Sequence, residues 1–396
     1  MQTDLELNSK FVQTIPIVMY YRDLQSQLEL LSQSFPVISV TGPRQSGKTT
    51  LCKMVFPHYA YLNLEQSDIR EAMQRDMYAE LRKYKEGVII DEAHYLPEVF
   101  SAIKVLVDED KSRRYVLTGS SNFLLLQNIS QTLAGRVAVL KLLPFSLNEL
   151  GSAQRAFSTD SLLLRGFFPA IWGDGRPLEA VYSGYFSTYV LRDVRMITNV
   201  KDIDLFSKFV RLCATRVGTE FNANSLSAEV GVSVKTVQSW LSILQASYIV
   251  FTLQPYYRNM GKRLVKAPKI YFYDTGLLCY LLGLRSELDV ANCPLRGALF
   301  ENLVVADRVK ELYHAGLENN YYFYRDKSQH EVDLVQEQAM QIRAYEIKSA
   351  TTVHSSFFAN LDYLRKVYGA DVLSTQVIYD GTQRLDDPRH GYIPYR

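Results

Sequence analysis

The first residues with the types and spacing for chemistry stand directly after the apolar run Val37-Ile38-Ser39-Val40. They are Gly42-Pro43-Arg44-Gln45-Ser46-Gly47-Lys48-Thr49, followed by Thr50, and they fit G-x-x-x-x-G-K-[ST] between a predicted strand and a predicted helix. In that setting Gly42 and Gly47 let backbone amides turn inward around phosphate oxygens. Lys48 supplies a point charge for the outer phosphates, and the Thr49 hydroxyl supplies a ligand for magnesium. Further on, Gly87-Val88-Ile89-Ile90-Asp91-Glu92 is an apolar strand ending in two acids. No solvent-facing strand needs four consecutive apolar residues there, so the acids belong at the end of a buried strand. Asp91 would hold magnesium through water, and Glu92 would polarise the water that attacks the terminal phosphate. The expected cofactors are therefore ATP and Mg2+.

A further strand, Tyr115-Val116-Leu117-Thr118, runs into Gly119-Ser120-Ser121-Asn122, where Asn122 is placed to sense the terminal phosphate. Arg136, in Leu133-Ala134-Gly135-Arg136, is a candidate for neutralising transition-state charge. Arg165, Arg192 and Arg195 are the other candidates. Asp91-Glu92-Ala93-His94 spells the DEAH of a helicase group, but those enzymes need two such domains, and only one phosphate loop stands here.

A second group of chemical residues lies in the last third. Glu301 falls on a predicted helix, Asp333 at the end of a short strand after Glu331, and Glu346 and Lys348 two apart in the strand YEIKSA. Alternation along a strand puts Glu346 and Lys348 on one face. Glu301, Asp333 and Glu346 are thereby expected to converge on magnesium, with Lys348 orienting a nucleophilic water, the D-x(12)-E-x-K pattern of restriction-endonuclease-like folds. Between the two groups, Tyr256–Ile270 carries Arg258, Lys262, Arg263, Lys266 and Lys269 without an acid, behind a helix-turn-helix pattern in which Gly231 makes the turn, Ser233 caps the second helix and Lys235 is its basic residue. These six cations are the predicted DNA contacts, mostly to backbone phosphates. Five phosphate contacts from the loop would give a salt slope of about −4.5.

The elements that must position these residues follow from periodicity. PVISVTG, YAYLNL, GVIIDE, RYVLTGS and RVAVLKL alternate with helical stretches and predict a parallel sheet covered on both faces. The expected fold class is α/β, a P-loop NTPase sheet with a helical lid, followed by a winged helix-turn-helix and a restriction-endonuclease-like α/β domain. The divisions expected are a tail over 1–20, the ATPase domain over 21–145, the lid over 146–204, the winged helix over 205–284 and the nuclease-like domain over 285–396.

Composition is that of a folded chain, with 47% hydrophobic and 22% charged residues in 396. The formal net charge of +2 conceals a middle region, 151–295, that carries 16 basic and 11 acidic residues. Cys52, Cys213, Cys279 and Cys293 are scattered with no C-x-x-C pair, which argues against structural zinc and fits a reducing compartment. The N-terminus has acids where an export signal needs a basic start, and the longest apolar run, near Leu277–Leu284, is far short of the roughly 20 residues that span a bilayer. A cytoplasmic protein without a membrane partner is expected.

Taken together, the chain resembles the bacterial and archaeal AAA-type ATPase family that joins an N-terminal phosphate-loop domain to a C-terminal domain of unknown function. The resemblance runs from Tyr20 to Tyr379. It rests on GPRQSGKT, VIIDEAHYLP, VLTGSSNFLL, LAGRV, LLPFSLNEL, YVLRDV, KAPKIYFYDTGLL, GALFENLVV and the pair EVDLV and YEIKSA. It implies an AAA-type ATPase with a winged helix and a nuclease-like fold. Members of the wider AAA group commonly form rings, so it also implies a homo-oligomer, a hexameric ring among its possible forms, with an arginine from one subunit at its neighbour's nucleotide. Three functions compete: an ATPase that remodels or processes duplex or branched DNA, an ATP-dependent signalling or defence switch with a protein partner, and an ATP-regulated nuclease.

Overall fold

Five short apolar runs build one sheet in the computed structural model, which describes residues 20–119, 122–173, 176–191, 202–258 and 267–396. They are β1 (Val37–Thr41), β2 (Ala60–Asn63), β3 (Val88–Asp91), β4 (Tyr115–Thr118) and β5 (Val137–Lys141). Their order is β2-β3-β4-β1-β5, and every pairing is parallel. Parallel neighbours need helical crossovers that cover both faces, and β1, β3 and β4 are accordingly buried at every position. This is the α/β architecture of a P-loop NTPase. The chain leaves the neighbours β1 and β4 toward opposite edges of the sheet, to β2 and to β5, which opens a crevice at their carboxyl ends. The phosphate loop and Glu92 both emerge at that end.

Short helices follow at Leu147–Leu150, Thr159–Arg165, Pro169–Gly173 and Leu178–Tyr185, the last widening into a π turn at Phe186–Val190. Helices Ile203–Thr215, Ala223–Val230 and Val234–Ala246 then precede an antiparallel pair, β6 (Val250–Leu253) and β7 (Lys269–Phe272). Gly231 takes φ 89° in the turn between the second and third helices, and the Ser233 hydroxyl accepts the Thr236 amide, as the residue types require.

The long helix Arg296–His314 leads into β8 (Tyr321–Arg325), β9 (Glu331–Gln338) and β10 (Gln341–Lys348), an antiparallel meander. Helix Ala359–Tyr368 crosses to β11 (Val372–Tyr379), which lies parallel to β10, and β12 (Gly391–Pro394) adds to its far side. The result is a mixed C-terminal sheet, β12-β11-β10-β9-β8. Two details depart from expectation. Asp333 is the third residue of an eight-residue strand instead of the end of a short one, because β9 continues into a tight turn toward β10. The strand β12 was not foreseen, since a four-residue run containing Gly and Pro carries no alternating pattern.

One hydrophobic cluster runs from Leu143 through Phe167, Phe209, Trp240, Phe272 and Phe300 to Tyr395. Expected divisions at 204 and 284 thus fall inside a shared core. A backbone exchange extends it: the Tyr256 amide donates to Phe323 O and the Phe323 amide to Gln254 O, joining the chain after β6 to the edge strand β8.

Candidate functional site

The phosphate loop turns directly after β1. Gly42 is required there, because an added Cβ would lie 2.0 Å from the Leu142 carbonyl oxygen. Lys48 starts the following helix, Lys48–Val55, and its ammonium folds back onto the loop, donating to Gly42 O at 2.9 Å and Pro43 O at 2.7 Å. Burial pushes the Lys48 pKa down to about 8, against the pull of Glu92 and Asp91. The ammonium is therefore weakly compensated and suited to an incoming anion.

Asp91 closes β3 and accepts the Thr49 hydroxyl at 2.8 Å and the Tyr61 hydroxyl at 2.9 Å on Oδ2. Its Oδ1 accepts the Thr118 hydroxyl and the Glu92 amide. Glu92 adopts a left-handed backbone with φ 53°, uncommon outside glycine, which turns it out of the strand at the sheet's carboxyl end. Its Oε2 lies 3.2 Å from His94 Nδ1, and burial holds the His94 imidazole below its ordinary pKa. Lys48, Thr49, Thr50, Asp91 and Glu92 line one cavity of about 560 Å³. A hydroxyl and a carboxylate in contact are the hard oxygen donors that magnesium prefers, so Thr49 and Asp91 are the residues that would hold it.

Several cavity residues carried no recognisable signal in the sequence. Arg22 donates to Ser46 O and Leu143 O, both at 2.7 Å, and to Glu149 Oε1 at 2.9 Å. Tyr189, in the π turn, receives the Gln45 amide on its hydroxyl at 3.2 Å, and the Arg44 guanidinium lies 5.0 Å from its ring centre. Tyr20, Phe145 and Arg176 complete this wall. Each comes from a segment distant in sequence from the loop, and the LLPFSLNEL and YVLRDV blocks alone hinted at Phe145 and Tyr189.

Arg136, expected to act at a neighbouring subunit's nucleotide, lies away from the cavity of its own chain. It precedes β5, whose Val137 pairs with Val37, so it sits at the end of the sheet opposite the phosphate loop. Its guanidinium is forked onto Asp108 at 2.8 and 2.7 Å, and within one chain it does not reach the nucleotide cavity. Arg165 stacks on Phe157. Asn122 opens helix Asn122–Thr132, but its side chain, like Arg192 and Arg195, lies outside the described residues.

In the C-terminal part the structure brings Glu301, Asp333, Glu346 and Lys348 together. Lys348 Nζ lies 2.6 Å from Glu346 Oε2 and 3.4 Å from Asp333 Oδ2, and Asp333 Oδ2 also accepts the Ile347 amide at 2.8 Å. Burial opposes the charge on Asp333, yet Lys348 and Lys269 hold its carboxyl below the usual range. Burial and the neighbouring Asp333 push Glu346 up to about 9. Environments that drive two carboxyls apart in this way are typical of acid–base pairs. Glu301 accepts the Tyr271 hydroxyl at 2.6 Å and is pushed up to about 7, chiefly by burial.

Lys269 needs correction. Expected on an exposed phosphate-binding strip, it is buried on β7, with Nζ 2.6 Å from Glu331 Oε1 and 3.3 Å from Glu301 Oε1. It alternates with the apolar Ile270 and shares a strand face with Tyr271, so the pleat turns both toward Glu301. Burial disfavours its charge, but Glu301, Asp333 and Glu331 together raise its pKa. The three expected magnesium ligands are accordingly interleaved with two ammonium groups. Among the described residues, the grouping that brings three ligand atoms within 4.8 Å of one another is a different one: Asp23, Glu149 and His314. Of the remaining strip, Arg258 is paired with Asp371, Lys235 is exposed on its helix, and Lys262, Arg263 and Lys266 lie outside the described residues.

Comparison with known proteins matches residues 34–151 to an AAA domain, residues 157–288 to a domain of unknown function (DUF8612) and residues 296–396 to a domain of unknown function (DUF4143). An uncharacterized protein of Mycobacterium tuberculosis is 30% identical over 335 residues, 84% of this chain and 74% of that one. An uncharacterized protein of Haemophilus influenzae is 26% identical over 312 residues, covering 69% and 74% of the two chains. Among solved structures, a Walker-type ATPase of Pyrococcus abyssi is similar with a TM-score of 0.46 and 13% identity over 65% of this chain and 94% of that one. A signal transduction ATPase with numerous domains from Pyrococcus horikoshii has a TM-score of 0.27 and 11% identity, over 75% and 49% of the two chains. No helix among the described residues is long and apolar enough to cross a membrane. With a phosphate loop at the head of a five-stranded parallel sheet and a mixed C-terminal sheet behind it, the chain belongs to the AAA-type ATPase family that carries a C-terminal DUF4143 domain.

Proposed function

We propose that the protein binds and hydrolyses ATP with magnesium at the cavity beneath the helices after β5. The observation that carries this is the gathering of Lys48, Thr49, Asp91 and Glu92 on that one cavity. The loop amides and Lys48 would hold the outer phosphates, Thr49 and Asp91 the magnesium, and Glu92 would orient the attacking water. Phosphate release and nucleotide binding measured side by side test it. Lys48→Ala is expected to lose both, whereas Glu92→Gln keeps binding and loses hydrolysis by about 10²-fold or more. Hydrolysis surviving in both variants would overturn the assignment.

A finer reading has this hydrolysis, in a homo-oligomer, drive processing of DNA. One arrangement favours it: Glu346 and Lys348 on one strand face with Asp333 at hydrogen-bond reach of the same lysine. This set suits work on a phosphodiester. Supercoiled plasmid incubated with protein, Mg2+ and ATP should be cut by the wild type and spared by Asp333→Ala and Lys348→Ala. Equal cutting by all three, or by none, would leave the ATPase without this activity.

A further inference from the structure

Arg22 lies outside the matched AAA segment, yet it is buried against the phosphate loop with all three of its nitrogens bonded to protein acceptors. Its contact with Ser46 O has a consequence fixed by peptide geometry. The Ser46–Gly47 peptide is planar and trans, so its C=O and N–H point in opposite directions. A guanidinium that holds the Ser46 carbonyl thereby fixes the direction of the Gly47 amide on the opposite side of the same peptide, and both Arg22 and Gly47 line the cavity. That amide is one of those a bound phosphate would need.

Arg22 is in turn held by segment 143–149. Glu149 and Leu143 O take two of its nitrogens, and the Phe145 ring centre lies 4.7 Å from the guanidinium carbon. That segment is clamped from behind by one face of helix Arg296–His314. Asp307 accepts the Leu147 amide at 2.8 Å, Lys310 donates to Phe145 O at 3.0 Å, and His314 Nε2 accepts the Leu143 amide at 3.3 Å. Spacings of three and four put these residues on one helical stripe. The same helix carries Glu301 of the acidic centre two turns earlier. Asp23, Glu149 and His314 form a metal-like grouping, but the cation facing Glu149 is the Arg22 guanidinium at 2.9 Å.

We propose that Arg22 is a positioning residue of the nucleotide site, setting the Gly47 amide for phosphate, and that helix Arg296–His314 holds it through segment 143–149 so that nucleotide binding and that helix are energetically coupled. Coupling of this kind is reciprocal: whatever shifts the helix changes nucleotide affinity by the factor that nucleotide shifts the helix. The inference rests on ATP being the ligand of the cavity.

The test uses the full chain and a fluorescent ATP analogue, with KM and kcat for phosphate release, the melting temperature without nucleotide, and amide exchange over residues 296–314 with and without ATP. Arg22→Ala is expected to raise Kd and KM about tenfold, the loss of charge-assisted hydrogen bonds at the loop, while kcat changes much less. ATP should slow exchange over 296–314 in the wild type and not in the variant. Should Arg22→Ala fold poorly, Glu149→Gln, which keeps the shape and removes the charge holding Arg22, should raise Kd several-fold. Wild type that fails to bind the analogue removes the nucleotide assignment itself. Wild type that binds and hydrolyses while the variants match it in Kd, KM and exchange overturns the role of Arg22 alone. A lowered melting temperature with unchanged Kd would make Arg22 merely structural and would overturn it too.

Discussion

The nucleotide cavity and the C-terminal acidic centre both set lysines among carboxylates, and they compensate charge in opposite ways. At the cavity, Lys48 bonds two loop carbonyls instead of an acid and is depressed to about 8 by burial. At the acidic centre, Lys269 and Lys348 stand directly against Glu331, Glu301, Glu346 and Asp333, and burial is outweighed by those acids. The first lysine is held in readiness for an anion from outside, and the second pair is neutralised from within. A buried cation bonded to no acid signals a ligand, whereas Lys269, buried and locked to two acids, contributes to structure.

Replacing each lysine by methionine should separate the two kinds most sharply. Lys269→Met leaves Glu301 without the cation that faces it, while Glu331 keeps Arg325, and breaking such a buried pair costs about 3–5 kcal/mol, read as a lower urea midpoint. Lys48→Met should cost little stability while abolishing binding of the ATP analogue. The reverse pattern would refute the distinction. A smaller effect concerns pH. Because the Lys48 ammonium is the form that attracts phosphate and its pKa is about 8, the free protein loses that charge above pH 8. ATP affinity should then fall about fivefold between pH 8 and 9, and a flat profile to pH 10 would mean the loop keeps Lys48 fully charged.

How much of this was legible beforehand differs between the two regions for a physical reason. The phosphate loop, Asp91 and Glu92 are readable because the chemistry needs fixed types within a few residues of a strand end, and all five parallel strands show as short runs dominated by apolar and aromatic residues. Strands β8 to β11 with Asp333, Glu346 and Lys348 are readable as strand-like runs, and Glu301 from its helix. What escaped depends on contacts between distant segments. Arg22 meets Glu149 across 127 positions: no local pattern marks Arg22, and the S-x-x-E spacing of Ser146 and Glu149 marks only a helix start. Lys269 was misassigned for the same reason: five cations in a row with no acid look like a solvated strip, until β7 pairs with β6 and turns one of them inward.

A second pH effect tests the acidic centre through Glu301. Its carboxyl is raised to about 7 in the folded chain from an ordinary value of 4.5, mainly because burial disfavours its charge. A folded-state pKa above the unfolded one means that the native state binds the extra proton. The associated stability is therefore fully present below about pH 4.5 and is lost as pH rises through 7. That folded-state value already includes the pull of Lys269 toward the ionised form, and it gives an expected loss of about 2 kcal/mol between pH 5 and pH 8. Glu301→Gln cannot ionise, so although it is destabilised at every pH by the weakened contact with Lys269, it should lack that slope. Glu346 titrates in both proteins and cancels from the difference. Urea midpoints of wild type and Glu301→Gln at the two pH values give the comparison. Parallel slopes would mean that Glu301 is already ionised at pH 5 and that Lys269, more than burial, governs the centre.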